Sequence, residues 1–160
     1  MSKIATTQAD MVVIGAGSGG LSVSAGAAQL GLKVVLFEKG EMGGDCLNYG
    51  CVPSKALIAA ACAAHDARDS ARLGVTADGV KVDFAQVIAH VHATIATIAP
   101  VDSQSRFEGL GVTVVREAAR FVDERTVASD SVRVVGRKIV VATGSRAAVP
   151  PIPGLDQVLY

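Results

Sequence analysis

Tryptophan is absent from this 160-residue chain, and aromatic residues of all kinds make up only 4% of it. So few rings argue against a surface that binds through aromatic anchors. Neither sign of charge is in excess: 15 lysines and arginines face 15 aspartates and glutamates, which removes the electrostatic case for nucleic acid or an anionic membrane. Long apolar runs are missing too. No stretch approaches the roughly 18 uninterrupted apolar residues of a spanning helix, and Met1 to Asp10 holds no apolar run suited to a signal peptide. The expected location is cytoplasmic. Three cysteines are too few for a secreted disulfide scaffold, and in a reducing compartment a close pair points to catalysis or metal binding. Zinc fits poorly, because Cys46, Cys51 and a distant Cys62 or His65 match neither structural nor catalytic ligand spacing.

What the chain does have is alanine, valine and 17 glycines within a half-hydrophobic composition, which suits helices packed closely on a parallel sheet. Its length fits one domain on the usual scale of roughly 100–200 residues. Asp10 to Ile14 reads as a short buried strand broken by Gly15, Ser18 to Leu30 as a helix stopped by Gly31, and Val34 to Phe37 as a second strand ending at Glu38. That is a β-α-β unit with parallel strands. Pro53 to about Arg72 is helical by alanine content, with Pro53 in the first turn, and Gly74 to Val82 is a connection. Asp83 to about Phe107 carries a second helical pattern that Pro100 should end or kink. After a strand at Val112 to Val115, the segments Arg120 to Val127 and Val132 to Val141 suggest a small antiparallel meander. Its turns are expected at Asp123, Ser129-Asp130 and Gly136-Arg137, and its last strand at Lys138 to Ala142.

Gly15-Ala16-Gly17-Ser18-Gly19-Gly20 matches G-x-G-x-x-G between strand and helix. Gly15 allows the tight turn, Gly17 lets the backbone approach a pyrophosphate, and Gly20 lets helix and strand pack closely. Phosphates would sit at the helix N-terminus, where unpaired N–H groups favour an anion. Glu38 lies 18 positions past Gly20 at the second strand's end, placed to take ribose hydroxyls and to repel a 2′-phosphate.

The segment Gly43-Gly44-Asp45-Cys46-Leu47-Asn48-Tyr49-Gly50-Cys51-Val52-Pro53-Ser54-Lys55 follows. On one regular helix, five residues turn roughly 500° and point two thiols apart. A disulfide needs facing Cβ vectors, so the segment must bend, and Gly50 supplies the freedom. Cys51 then stands at a helix mouth, a setting that favours thiolate, with Lys55 in the same helix adding positive charge. A thiol pair beside a nucleotide site is a layout for passing electrons between a redox ring and a disulfide. Cys62, among alanines, is expected to be a buried thiol; His65, His90 and His92 are expected to be structural or exposed, and Arg116, Arg120, Arg125, Arg133 and Arg137 to be solvated.

At these residues the chain resembles the N-terminal part of the class I flavoprotein pyridine nucleotide–disulfide oxidoreductases. The stretch from Gly44 to Lys55 matches the family's cysteine motif at most positions, departing at Asp45 and Tyr49, where Thr and Val are commoner. The ending Pro53-Ser54-Lys55 is closer to dihydrolipoamide dehydrogenases and mercuric reductases than to glutathione reductases. Ala142-Thr143-Gly144-Ser145 with Pro150 to Gly154 resembles the second flavin-contacting motif.

The resemblance implies an α/β, Rossmann-like three-layer FAD-binding domain over residues 1–160. It would hold a parallel sheet and a small antiparallel meander, and be incomplete without a C-terminal return segment. It also implies FAD at Gly15, Gly17, Ser18, Gly19, Gly20, Glu38, Lys39, Gly44, Asp45, Cys46, Cys51, Lys55, Ala142, Thr143 and Gly144, and NAD(P)H used by the full-length protein. Cys51 would face the flavin, Cys46 would exchange with substrate, and Lys55 would lie near the ring, completing the catalytic set. Electrons would run from NAD(P)H through FAD to a Cys46–Cys51 disulfide, and on to a small disulfide, dithiol or metal-ion substrate. The NAD(P)H-binding and dimerisation domains of such a homodimeric enzyme are not in these 160 residues, so the chain alone is expected to be inactive. The residues by themselves leave two other readings open, an NAD-dependent Rossmann dehydrogenase and a non-catalytic dinucleotide-binding module.

Overall fold

A computed structural model describes residues 5–77, 79–146 and 148–157, so residues 1–4 of the stretch read as free of a signal peptide lie outside it. Val34, Val35, Leu36 and Phe37 are all buried, as befits a short apolar strand covered on both faces of a parallel sheet. This strand, β2 (Val34–Phe37), pairs in parallel with β1 (Ala5–Ile14) on one side and β3 (Thr113–Val115) on the other. On its far side β1 pairs in parallel with β6 (Val132–Val141). The antiparallel strands β5 (Thr126–Ala128) and β4 (Arg120–Phe121) follow, giving the order β3-β2-β1-β6-β5-β4.

Alternation along the strands divides the core in two. Val13, Val34 and Leu36 face α1 (Ser18–Gln29) and α5 (Gln104–Gly109), meeting Leu21, Ala27 and Phe107. Val12, Val35 and Phe37 point the other way and meet Val127 and Val134 of the meander, which therefore curls over that face. Helices, parallel sheet and antiparallel meander make the three layers expected.

Several local expectations need correction. β1 is ten residues long, not five, and β6 runs unbroken through Gly136-Arg137, where a turn was expected. The cause is non-local: β1 and β6 stay in register from Ala5↔Val132 to Ile14↔Val141, and this pairing overrides the local turn preference of glycine. Pro100 does end the second helix. α4 (Phe84–Ile98), capped by the Asp83 carboxylate accepting from the Gln86 N–H at 3.2 Å, gives way to a 3-10 turn at Ala99–Asp102. Ser103 then caps α5. Taken as one run, Phe84–Gly109 is long and apolar enough to cross a membrane, with a mean hydropathy of 1.4, although polar residues interrupt it throughout. The break at Pro100 splits the run, and its last piece buries Phe107 in the core.

α2 (Gly44–Asn48) and α3 (Cys51–Asp69) follow β2, and α3 ends in a 3-10 turn at Ser70–Leu73. α3 and α4 lie mainly against each other, so Ala56 alone is fully buried in α3 and Val91 alone in α4. Cys62 is consequently exposed, contrary to the expectation of a buried thiol.

Gly136 offers a test of the long β1–β6 ladder. A Cβ there would stand 2.8 Å from Val12 Cγ2. Gly136→Ala should therefore overpack the core and cost about 1–3 kcal/mol, read as a lower midpoint in urea unfolding. An unchanged midpoint would mean that the two strands are not this close.

Candidate functional site

Parallel strands end on one side, and here the direction of strand order reverses at β1: β2 and β3 lie to one side of it and β6 to the other. A crevice opens outside the carboxyl ends of strands at such a switch point. Ladder bonds carry each strand one residue further. Gly15 N–H donates to Phe37 O at 2.8 Å, Glu38 N–H to Val115 O at 2.9 Å, and Ala142 N–H to Ile14 O at 2.8 Å. Above them lie two adjoining hollows of about 310 and 210 Å³, which share Gly15, Glu38, Lys39 and Thr143.

The glycine turn is built by exclusion. Gly15 has φ +106°, and a Cβ on it would lie 2.3 Å from Ala142 O. A Cβ on Gly20 would lie 1.8 Å from Gly15 O, so α1 sits directly against the turn. Gly17, by contrast, faces open space, its nearest such neighbour being Gly44 Cα at 4.0 Å. It is the N-cap residue of α1, whose first turn begins with Ser18 and Gly19 and has no side-chain cap. Its first amides are left for an outside anion.

Glu38 lines both hollows, and its carboxylate accepts from Ala16 N–H and Gly40 N–H, each at 2.6 Å. The carboxylate thus ties the glycine turn to the end of β2 while remaining at the crevice. Arg116 bonds to Gly40 O and holds the same turn from the β3 side. Arg116 is exposed, as expected, and lines neither hollow, but this bond ties the end of β3 to the turn after β2. A turn stripped of side chains, uncapped helix amides and a carboxylate at the second strand's end are what a dinucleotide requires.

The dithiol segment bends as geometry demanded. α2 stops at Asn48 and α3 starts at Cys51, earlier than Pro53. Between them the Asp45 carbonyl accepts from Tyr49 N–H at 2.9 Å and from Gly50 N–H at 2.6 Å. Gly50 is needed for closeness more than for freedom, since a Cβ there would stand 2.6 Å from Asp45 Oδ2. Asn48 locks α2 by donating to Met42 O at 3.1 Å and Gly44 O at 2.9 Å. The elbow touches the glycine turn directly: Gly43 N–H donates to Ala16 O at 2.9 Å, and a Cβ on Gly44 would lie 2.7 Å from Gly17 Cα.

Cys46 and Cys51 are both free thiols, Cys46 half-buried and Cys51 exposed at the first position of α3. They are neighbours: hydrogen bonding to the Cys51 thiol, with burial adding to it, holds the Cys46 proton on and pushes its pKa above the ordinary thiol range. Lys55 is exposed in the second turn of α3 and does not line the hollows.

Of the residues expected at the cofactor, the crevice wall holds Gly15, Gly17, Glu38, Lys39, Gly44, Asp45, Ala142, Thr143 and Gly144, whereas Cys46 and Cys51, like Lys55, are not among its lining residues. Ser18, Gly19 and Gly20 lie just behind it on α1. Glu41, Asn48, Tyr49, Ser145 and Arg146 also line the crevice and were not named as cofactor contacts, though Asn48, Tyr49 and Ser145 lie inside motifs already recognised and Arg146 directly follows one. Glu117, after β3, lines the smaller hollow. The hydroxyls of Ser129 and Ser131, with the Ser131 N–H, hold its carboxyl below the usual carboxylate range.

Residues 9–160 match the family model described as pyridine nucleotide-disulphide oxidoreductase. Similar curated proteins include a dihydrolipoyl dehydrogenase of Geobacillus stearothermophilus, 40% identical over 143 residues, or 87% of this chain and 30% of that protein. Another is a mercuric reductase of Bacillus cereus, 30% identical over 151 residues, or 94% of this chain and 24% of that protein. Among solved structures, the Cu(II) complex of the HOCl-induced flavoprotein disulfide reductase RclA from Escherichia coli aligns with a TM-score of 0.70 and 26% identity, covering 92% of this chain and 30% of that one. The chain therefore spans about a quarter to a third of the length of the relatives it matches. With the glycine turn, the carboxylate and the dithiol elbow gathered at one switch point, and the family match running from Ala9 to Tyr160, the chain belongs to the pyridine nucleotide-disulphide oxidoreductases.

Proposed function

We propose that this chain is the FAD-binding, dithiol-bearing part of a flavoprotein that moves electrons between NAD(P)H and a small disulfide, dithiol or metal-ion substrate. One observation carries the reading: two neighbouring thiols sit on an elbow whose backbone is in contact with a glycine turn made for a dinucleotide. The similar proteins named dihydrolipoyl dehydrogenase and mercuric reductase support both substrate classes.

The bound flavin supplies a ring that accepts and returns two electrons. The chain's own residues do the rest. The uncapped amides at the start of α1 receive the diphosphate, Glu38 receives ribose hydroxyls, and Ala142, Thr143 and Gly144 close the opposite wall. When Cys46 and Cys51 close to a disulfide, the pair gives up two electrons and two protons; when the bond opens, it takes them back. A substrate disulfide accepts both electrons and both protons by exchange through a mixed disulfide and leaves as a dithiol. Cys46 is assigned to that exchange and Cys51 to the flavin side, with Lys55 adding positive charge on the same helix. Partner subunits, the pyridine nucleotide site and a cytoplasmic location belong to the full-length protein in this proposal.

Gly17 gives a clean test of the cofactor site. Its φ of −79° and ψ of −176° are open to any residue, and only Gly44 Cα, at 4.0 Å, lies within reach of an added Cβ. Gly17→Val should keep the far-UV circular dichroism of the parent and weaken FAD uptake at least ~10-fold, about 1.4 kcal/mol, followed by flavin absorbance. If the parent binds NAD and takes up no FAD, the NAD-dependent dehydrogenase reading replaces this one.

The thiol pair gives a second test through its titration. A raised pKa keeps Cys46 protonated at neutral pH, so its alkylation by iodoacetamide should rise only above the ordinary thiol range. Cys51→Ala removes the largest cause of that shift, and the midpoint should move down. Peptide mass spectrometry across a pH series reads both. A Cys46 midpoint indifferent to Cys51 would show that the two sulfurs do not meet.

A further inference from the structure

At the other end of the parallel strands the sheet has a step. β2 begins at Val34, whereas β1 and β6 run on past it to Ala5 and Val132. The step leaves a hollow of about 390 Å³, walled by Ala9, Asp10, Lys33, Arg125, Gly136 and Arg137 among others. A second hollow of about 340 Å³ shares Asp10, Arg125 and Arg137 with it and adds Lys138. The floor is shallow in side chains, because Ala9 and Gly136 are register partners.

Three cations and one carboxylate line the larger hollow, an excess of two positive charges in a chain whose net charge is zero, and Lys138 adds a fourth cation in the adjoining one. Asp10 is already engaged, accepting from Lys33 N–H at 3.0 Å and pairing with Arg137 at 3.1 Å. Among the described residues, Lys33, Arg125 and Lys138 take part in no ion pair. Asp123 turns inward on its own hairpin, accepting from Arg125 N–H at 2.8 Å, and does not line either hollow. Clustered like charges repel unless an anion lies between them, and guanidinium forks match phosphate oxygens two at a time. The larger hollow falls within the roughly 300–1,000 Å³ of small-molecule sites, more than a lone phosphate fills. Val135 adds apolar wall for a carbon skeleton, and Leu32 lines the adjoining hollow.

We infer that this hollow binds a small organic phosphate, with its phosphoryl group among Lys33, Arg125 and Arg137 and its body over Ala9 and Gly136. The site is separate from the nucleotide crevice. The two share no lining residue, and Ala9 precedes Ile14 by five residues of strand, roughly 16 Å at about 3.3 Å per residue.

The test titrates ribose 5-phosphate, and in parallel inorganic phosphate, into the 160-residue chain at low ionic strength, following backbone amides by NMR. Saturable shifts are expected at Ala9, Lys33 and Gly136, but not at Gly15, Gly17 or Gly144. Ribose 5-phosphate should bind more tightly than inorganic phosphate. Arg125 makes no side-chain hydrogen bond among the described residues, so Arg125→Glu should leave the crevice amides unmoved while weakening binding at least tenfold. Absence of saturable shifts, equal affinity for the two probes, strongest shifts at the crevice glycines, or indifference to Arg125→Glu would each overturn the inference.

Discussion

Three main-chain hydrogen bonds at the tips of the parallel strands set the spacing on which the rest of the site depends. They join Gly15 to Phe37, Glu38 to Val115 and Ala142 to Ile14, so segments far apart in sequence leave the sheet at fixed separation. Because Gly15 and Ala142 are held this close, no side chain fits at Gly15, and because Gly20 lies on Gly15 O, none fits there either. What remains is a turn of bare backbone with helix amides behind it. Glu38 then uses its carboxylate oxygens to secure that turn from the neighbouring strand. The crevice is the consequence of parallel pairing followed by steric exclusion, with side-chain chemistry added last.

The elbow obeys the same logic at shorter range. Cysteines five apart on a continuous helix diverge by about 140° after one full turn. The chain avoids this by closing one turn early: a single carbonyl, that of Asp45, takes the amides of both Tyr49 and Gly50, and a new helix starts at once from Cys51. The Asp45 carboxylate fills the space that any side chain at position 50 would need. Asn48 fixes the preceding helix to Met42 and Gly44, and Gly44 in turn presses on Gly17. The thiol elbow and the glycine turn are therefore in direct backbone contact.

What could be read from sequence followed the range of the interaction. The fingerprint, the helix stop at Gly31, the break at Pro100 and the bend before Cys51 are decided within a few residues, and each is present. The unbroken β6 strand was misread because Gly136-Arg137 has the composition of a turn, whereas its conformation is dictated by Ala9 and Met11 more than a hundred residues away. Cys62 was misplaced because alanine content speaks for helix and says nothing about which neighbour covers it. Arg116 is exposed as expected, but its bond was not legible, because the acceptor, Gly40 O, arrives from the turn after β2. Nothing near position 117 marks Glu117 as part of a crevice, since its serine partners come from the turn before β6.

A neutral chain can still be electrically polarised, and this one is polarised along its strands. Glu38, Glu41, Asp45 and Glu117 gather at the carboxyl ends, against Lys39, Arg116 and Arg146. Lys33, Arg125, Arg137 and Lys138 gather at the step near the amino ends, against Asp10. At the carboxyl ends the groups offered to the proposed cofactor's phosphates are amides and a helix terminus, which act through dipoles and leave room for acidic residues beside them. At the step no long helix begins among the described residues, so side-chain cations are what a phosphate there would meet. In the two proposed sites, opposite ends of one sheet would meet a phosphate by different physical means.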